Sequence, residues 1–221
     1  QTAAVIGREF SVGVLGSVCE LPHELEGQLA ALKHAELIHE TRFFPEPAYI
    51  FKHALVQEVI YQSLLAQRRR ELHGAIAHAI EELYADRLED QTPLLAYHYD
   101  RSERHDRAVK YALAAGDRAA LRLYANAEAA TYYERALAVA RAMPPSPDAE
   151  RAQIDATLKL AGVEITRKDL ERERDNLQAA RTLAEKLGDE PRLSQVLYWL
   201  GRIDYVLGNP RGAVDYAQRS L

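Results

Sequence analysis

PRLSQVLYWLGRIDYVLGNPRGAVDYAQRSL, residues 191–221, is the stretch from which the fold is read. It predicts two helices, 191–207 and 210–221, divided at Gly208-Asn209-Pro210. Asn209 is suited to capping a helix, and Pro210 to the first helical position, where its missing N–H costs nothing. The same punctuation recurs upstream at Thr92-Pro93 and Ser146-Pro147, with Asn126 as a further cap and Gly188 after Lys186-Leu187 as a stop. The implied helices are 93–100, 104–124, 126–143, 147–166, 169–187, 191–207 and 210–221. Helices of similar length joined by short connections predict antiparallel hairpins stacked in series, the logic of a solenoid.

The first third of the chain reads differently. Residues 11–20 and 23–38 carry apolar positions at helical spacing, with Ser11 placed to cap the first. Ile38–Phe43 and Ala48–Lys52 are β-prone runs about Pro45-Glu46-Pro47, a small hairpin. From Ala54 the pattern is helical again, with Leu72, Ile76, Ile80 and Leu83 at near-constant steps and a break or bend expected at Gln67–Arg70. Two helices, a hairpin and a following helix match the order of a winged helix. The expected architecture is therefore mainly α: a superhelix of helical hairpins over 89–221, preceded by a small winged-helix-like module with a β-hairpin over 1–88.

Two resemblances attach to these residues. Leu200-Gly201, Gly208, Ala213 and Leu221 resemble the tetratricopeptide pattern, in which small residues let paired helices approach closely, and Asn126–Ala129, Tyr133 and Ala136-Leu137 resemble the second helix of such a repeat. Residues 147–187 pair helices without the signature glycine. The strings Ala3–Phe10 and Tyr49–Leu64 resemble a segment that follows the ATPase core in bacterial signal-transducing NTPases with numerous domains, often fused to a class III adenylate/guanylate cyclase or a transcription-factor domain. That resemblance implies a winged helix followed by tetratricopeptide-like repeats, and ATP or ADP bound by the intact protein. The chain reads as a piece of such a protein. It carries no Gly-x-x-x-x-Gly-Lys-[Ser/Thr] loop and no assignable cyclase carboxylate pair, so no cofactor and no nucleotide hydrolysis are expected of it.

Charge narrows the partners. Residues 1–90 hold 8 Lys/Arg against 14 Asp/Glu, and residues 91–221 hold 20 against 19. Nucleic-acid binders gain affinity from a basic face, which neither half supplies. The predicted second helix carries Lys33 against Glu24, Glu26 and Glu36, which counts against its reading DNA bases. Arg68-Arg69-Arg70 could bind phosphate or nucleic acid, but with Glu71, Glu81 and Glu82 nearby it reads rather as a solvated helix face, or between the two as a contact with the ATPase core. No apolar run reaches the ~18–20 residues of a membrane span, and a cytoplasmic protein is expected.

Among single residues, His53 has two readings. In related nucleotide-switch ATPases a winged-helix histidine just before a helix reaches the bound diphosphate, and Phe51-Lys52-His53-Ala54-Leu55 resembles that position; structurally, the same ring would hydrogen-bond the end of the hairpin. Histidine pairs five apart, His34/His39 and His73/His78, diverge on a helix, so metal is not expected. Cys19, the one cysteine, reads as a buried core thiol, and Ser63 and Ser102 lack a base–acid arrangement. Nine of the 12 tyrosines lie in 91–221. Most are expected to pack between hairpins, with Tyr97, Tyr132, Tyr198 and Tyr205 as candidate partner contacts. The function expected is thus a non-catalytic regulatory and interaction fragment whose repeats bind a protein or peptide while the winged helix engages the ATPase core. The alternative is a DNA-binding regulator of the large ATP-binding LuxR/AfsR-like type. Self-association through an apolar face at the open C-terminal end is also expected.

Overall fold

The computed structural model describes residues 1–19, 22–43, 46–164 and 169–219. The chain is mainly helical, with one small antiparallel sheet, and divides into two compact units, Gln1–Arg104 and His105–Leu221. Helix α6 (Thr92–Asp100), expected among the repeats, packs on α5 (Ala66–Leu83) inside the first unit.

The first unit opens with α1 (Thr2–Ile6), β1 (Glu9–Ser11) and α2 (Val12–Val18). Ser11 caps α2 as expected, its hydroxyl accepting from Val14 N at 3.1 Å. A 3-10 turn, Pro22–Glu24, leads into α3 (Leu25–His34), which ends four residues earlier than its apolar spacing suggests. Glu36 adopts a left-handed φ of 54°, and Ile38 opens β2 (Ile38–Arg42), because its side chain is buried on the sheet. The hairpin closes through β3 (Ala48–Phe51); Pro45 lies outside the described residues. The sheet has a third member that the hairpin pattern did not announce. β1 lies antiparallel to β3, with Phe10 opposite Tyr49, giving the order β1-β3-β2. Its Phe10 is buried with its ring 5.6 Å from that of Phe51, and Val14, Leu29, Ile38 and, on α5, Ile76 and Ile80 are buried as well.

Helix α4 (Ala54–Ser63) follows, and the break expected at the arginine run falls earlier, at Leu64-Leu65, leaving Arg68–Arg70 in the opening turns of α5. There they are held by polar neighbours: Arg68 by Glu71, Arg69 by Gln62 at 2.7 Å and Arg70 by Glu103 at 3.1 Å. Thr92 does not cap α6; its hydroxyl donates to the Glu89 carbonyl of the preceding 3-10 turn, Ala85–Gln91.

The second unit is α7 (His105–Arg122), α8 (Asn126–Ala142), α9 (Pro147–Glu164), α10 (Leu170–Leu187), α11 (Glu190–Val206) and α12 (Pro210–Arg219). Each packs on the next, and α7 and α11 also touch α9. Ser146 and Asn209 cap α9 and α12 through Ala149 N and Gly212 N. Gly188 ends α10 with a left-handed φ of 63°. Asn126 makes no cap; it is already the first residue of α8. Asp169 and Asp189 cap α10 and α11 instead. Close packing rests on small residues: Ala112, Ala115, Ala129, Ala136, Ala161 and Ala180 are all buried, which lets helix axes approach without long side chains between them. Leu177, Leu200 and Ile203 fill the remaining space between α9, α10 and α11.

Candidate functional site

His53 sits at the N-cap of α4 in extended backbone, exposed, and its ring makes no capping hydrogen bond. Its carbonyl accepts from Val56 N at 3.0 Å, so the backbone alone closes the first turn. The four tyrosines singled out do not converge. Tyr97 belongs to the first unit, where its ring lies under Arg101 at 3.9 Å and edge-on to His73 and His98. Tyr132 is half-buried on α8, and burial raises its phenol pKa, with Glu128 adding to the shift. Tyr198 and Tyr205 do share a face, seven residues apart on α11, exposed by 51% and 74%. Arg202 stands between them, its guanidinium 5.0 Å from the Trp199 ring and 5.9 Å from Tyr198. Its Nη1 donates to the Tyr198 hydroxyl at 3.5 Å, so the face offers two amphipathic rings flanking a cation that has no carboxylate partner among the described residues.

Acid–base pairs tie α7, α9 and α11 together on alternate helices. Lys159 of α9 holds both oxygens of Asp117 of α7 at 2.7 and 2.9 Å, and Tyr133 of α8 donates to the same carboxylate at 2.8 Å. Arg192 of α11 grips Asp155 of α9 in a two-bond fork, 2.7 and 2.8 Å, which raises the pKa of the guanidinium. These pairs are partly solvated, worth up to about 1 kcal/mol each, and they fix register more than stability.

A polar cluster that sequence spacing concealed lies in the first unit. His73 of α5 and His98 of α6 are both buried, with Nδ1 to Nδ1 at 2.9 Å, and Tyr61 of α4 reaches His73 Nε2 at 3.1 Å. One arrangement of protons satisfies this chain: Tyr61 O–H donates to His73 Nε2, His73 Nδ1–H to His98 Nδ1, and His98 keeps its proton on Nε2, toward the Ile6 carbonyl. That last nitrogen makes no hydrogen bond of good geometry. Desolvation, with Arg101 and Arg69 nearby, pushes His73 down to about 4. Desolvation, His73 and Arg101 push His98 down to about 3. Both rings are therefore neutral near pH 7. The partners are 25 residues apart, so no local motif could have paired them.

Cys19 is half-buried one residue past α2, not a core thiol. Ser102 is buried and donates to the Tyr99 carbonyl. Lys33, the lone cation of α3, is paired with Glu40 at 3.1 Å. Among the described residues no group of three or more His, Cys, Asp or Glu side chains is placed to hold a metal, and no helix is long and apolar enough to cross a membrane.

No protein-family model matches the chain. It is 30% identical over 171 residues, 75% of its length, to "Uncharacterized protein R02095" of Rhizobium meliloti (strain 1021), and spans only 16% of that protein. Among solved structures it is similar to the crystal structure of BtubC (BKLC) from P. vanneervenii, at 17% identity over 95% of this chain and 90% of that one, with a TM-score of 0.41.

Proposed function

We propose that the chain is a non-catalytic regulatory and interaction segment of a multidomain, cytoplasmic, signal-transducing NTPase. In this reading the first unit is a winged-helix-like module that contacts the ATPase core, and the second a run of tetratricopeptide-like hairpins that binds a protein or peptide. The element order and three-stranded sheet of the first unit support the module. The close approach at Gly201, whose added Cβ would meet the Ala213 carbonyl oxygen at 3.3 Å, supports the repeats. ATP or ADP would be bound by the core, with His53, exposed at the start of α4, as the residue that senses it. Val206, Leu207 and Val214, exposed at the α11–α12 edge, support self-association there.

The observation that carries the partner-binding role is the α11 face of Tyr198, Arg202 and Tyr205. Exposed aromatic rings about a guanidinium with no carboxylate partner among the described residues are the composition of interface hot spots, and they suit a peptide with an acidic residue among apolar ones. Display selection of random peptides against the whole chain tests this. Enriched acidic–apolar sequences that fail to bind the Tyr198→Ala/Arg202→Ala/Tyr205→Ala variant are expected. Enrichment that survives this variant, or tight low-salt binding of duplex DNA with no peptide enriched, would overturn it.

A further inference from the structure

Within the first unit, a half-open cavity of about 340 Å³ lies between the sheet, α2 and the connection from α5 to α6. Its inner wall is apolar and buried, made by Ile6, Phe10, Val14 and Ile80. Its rim carries Arg42 from β2 and Arg87 from the 3-10 turn, whose φ of −138° and ψ of 38° break the helical path at that residue. Neither guanidinium has a carboxylate partner among the described residues. Arg42 uses Nε on the Glu46 carbonyl at 3.1 Å, leaving its terminal nitrogens, and Arg87 lies 5.0 Å from the Tyr84 ring centroid. Glu46 also lines the cavity, and both oxygens of its carboxylate are hydrogen-bonded by neutral donors. One oxygen accepts from Gly13 N at 3.1 Å, the other from the Tyr84 hydroxyl at 2.6 Å.

We propose that this cavity binds a small organic monoacid, with an acyl chain or single ring against the apolar wall and its carboxylate held by Arg42 and Arg87. The volume falls in the range of small-ligand sites, and a guanidinium matches a carboxylate in charge and fork geometry. Glu9, also on the rim and bonded to the Thr41 hydroxyl at 3.3 Å, adds a negative charge that disfavours polyanions, a nucleic-acid backbone among them.

Calorimetric titration of the whole chain with octanoate and with phenylpropionate is the test. Acetate serves as the charge without the apolar body, octanol as the body without the charge, and a short DNA duplex as the polyanion. Arg42 and Arg87 are exposed, so Arg42→Gln and Arg87→Gln retain the fold, checked by circular dichroism. Saturable one-to-one binding of at least one acid is expected, weakened about tenfold or more by either substitution and by loss of charge or body. The proposal fails if neither acid binds saturably, if affinity is unchanged in both variants, or if the duplex binds more tightly than the acids.

Discussion

At the scale of single residues, the His73–His98 pair makes the sharpest claim about stability. Both rings are neutral in the folded chain, with pKa values of about 4 and about 3, while in the unfolded chain each titrates near its ordinary 6.5. The unfolded state therefore binds more protons between these limits. Their contribution is complete above pH 6.5 and is lost as pH falls toward 4, at about 1.4 kcal/mol per pH unit for each ring. Urea titrations of the wild type between pH 7 and 4.5, set against the His73→Phe/His98→Leu variant, should show the steeper loss in the wild type. Equal slopes would remove the pair from the account. A second residue-scale constraint is Gly116 of α7. A Cβ there would come within 2.3 Å of the Tyr133 ring, whose hydroxyl is bonded to Asp117. Gly116→Ala should therefore cost about 1–3 kcal/mol by urea denaturation, as overpacking of a buried contact does. A neutral substitution would mean that Tyr133 is freer than its burial suggests.

At the scale of elements, α12 is the least secured helix of the second unit. None of its residues is buried, and it is held by the Asn209 cap, by the Gln178–Tyr216 hydrogen bond at 2.9 Å and by packing on α11. Asn209 also donates to the buried Asp204 carboxylate at 3.0 Å. Removing it with Asn209→Ala costs a cap worth about 1 kcal/mol, so α12 amides should exchange markedly faster while those of α9 do not change. Uniform acceleration through the unit would instead show that α12 melts with the rest. The helices of this unit were legible in the sequence because Ser146-Pro147, Gly188 and Asn209-Pro210 mark their ends and apolar periodicity marks their bodies. Strand β1 was not: three residues, Glu9–Ser11, carry too short a pattern, and their partner lies some forty residues downstream. The end of α3 was misplaced for a related reason. Leu37-Ile38 continues a helical stripe, yet Ile38 is drawn into pairing with Phe51, a long-range contact that overrides local spacing.

At the scale of the whole molecule, two compact units carry different kinds of surface. The first holds a buried histidine pair and a cavity rimmed by arginines; the second presents helices joined by acid–base pairs. Of the candidate contacts, the Tyr198–Tyr205 pair was legible because seven residues on a helix return to one face, whereas Tyr97 and Tyr132 had no such relation to them. The cation completing that face, Arg202, could have been found from the same spacing, since it lies four residues from Tyr198 and three from Tyr205. The most direct test is hydrogen exchange of the whole chain with and without a peptide selected against it, together with the affinity of that peptide. Slowed exchange concentrated in α11, and an affinity falling at least about tenfold in Arg202→Ala/Tyr205→Ala, are predicted. Protection confined to the first unit, or an affinity indifferent to those two residues, would contradict the account.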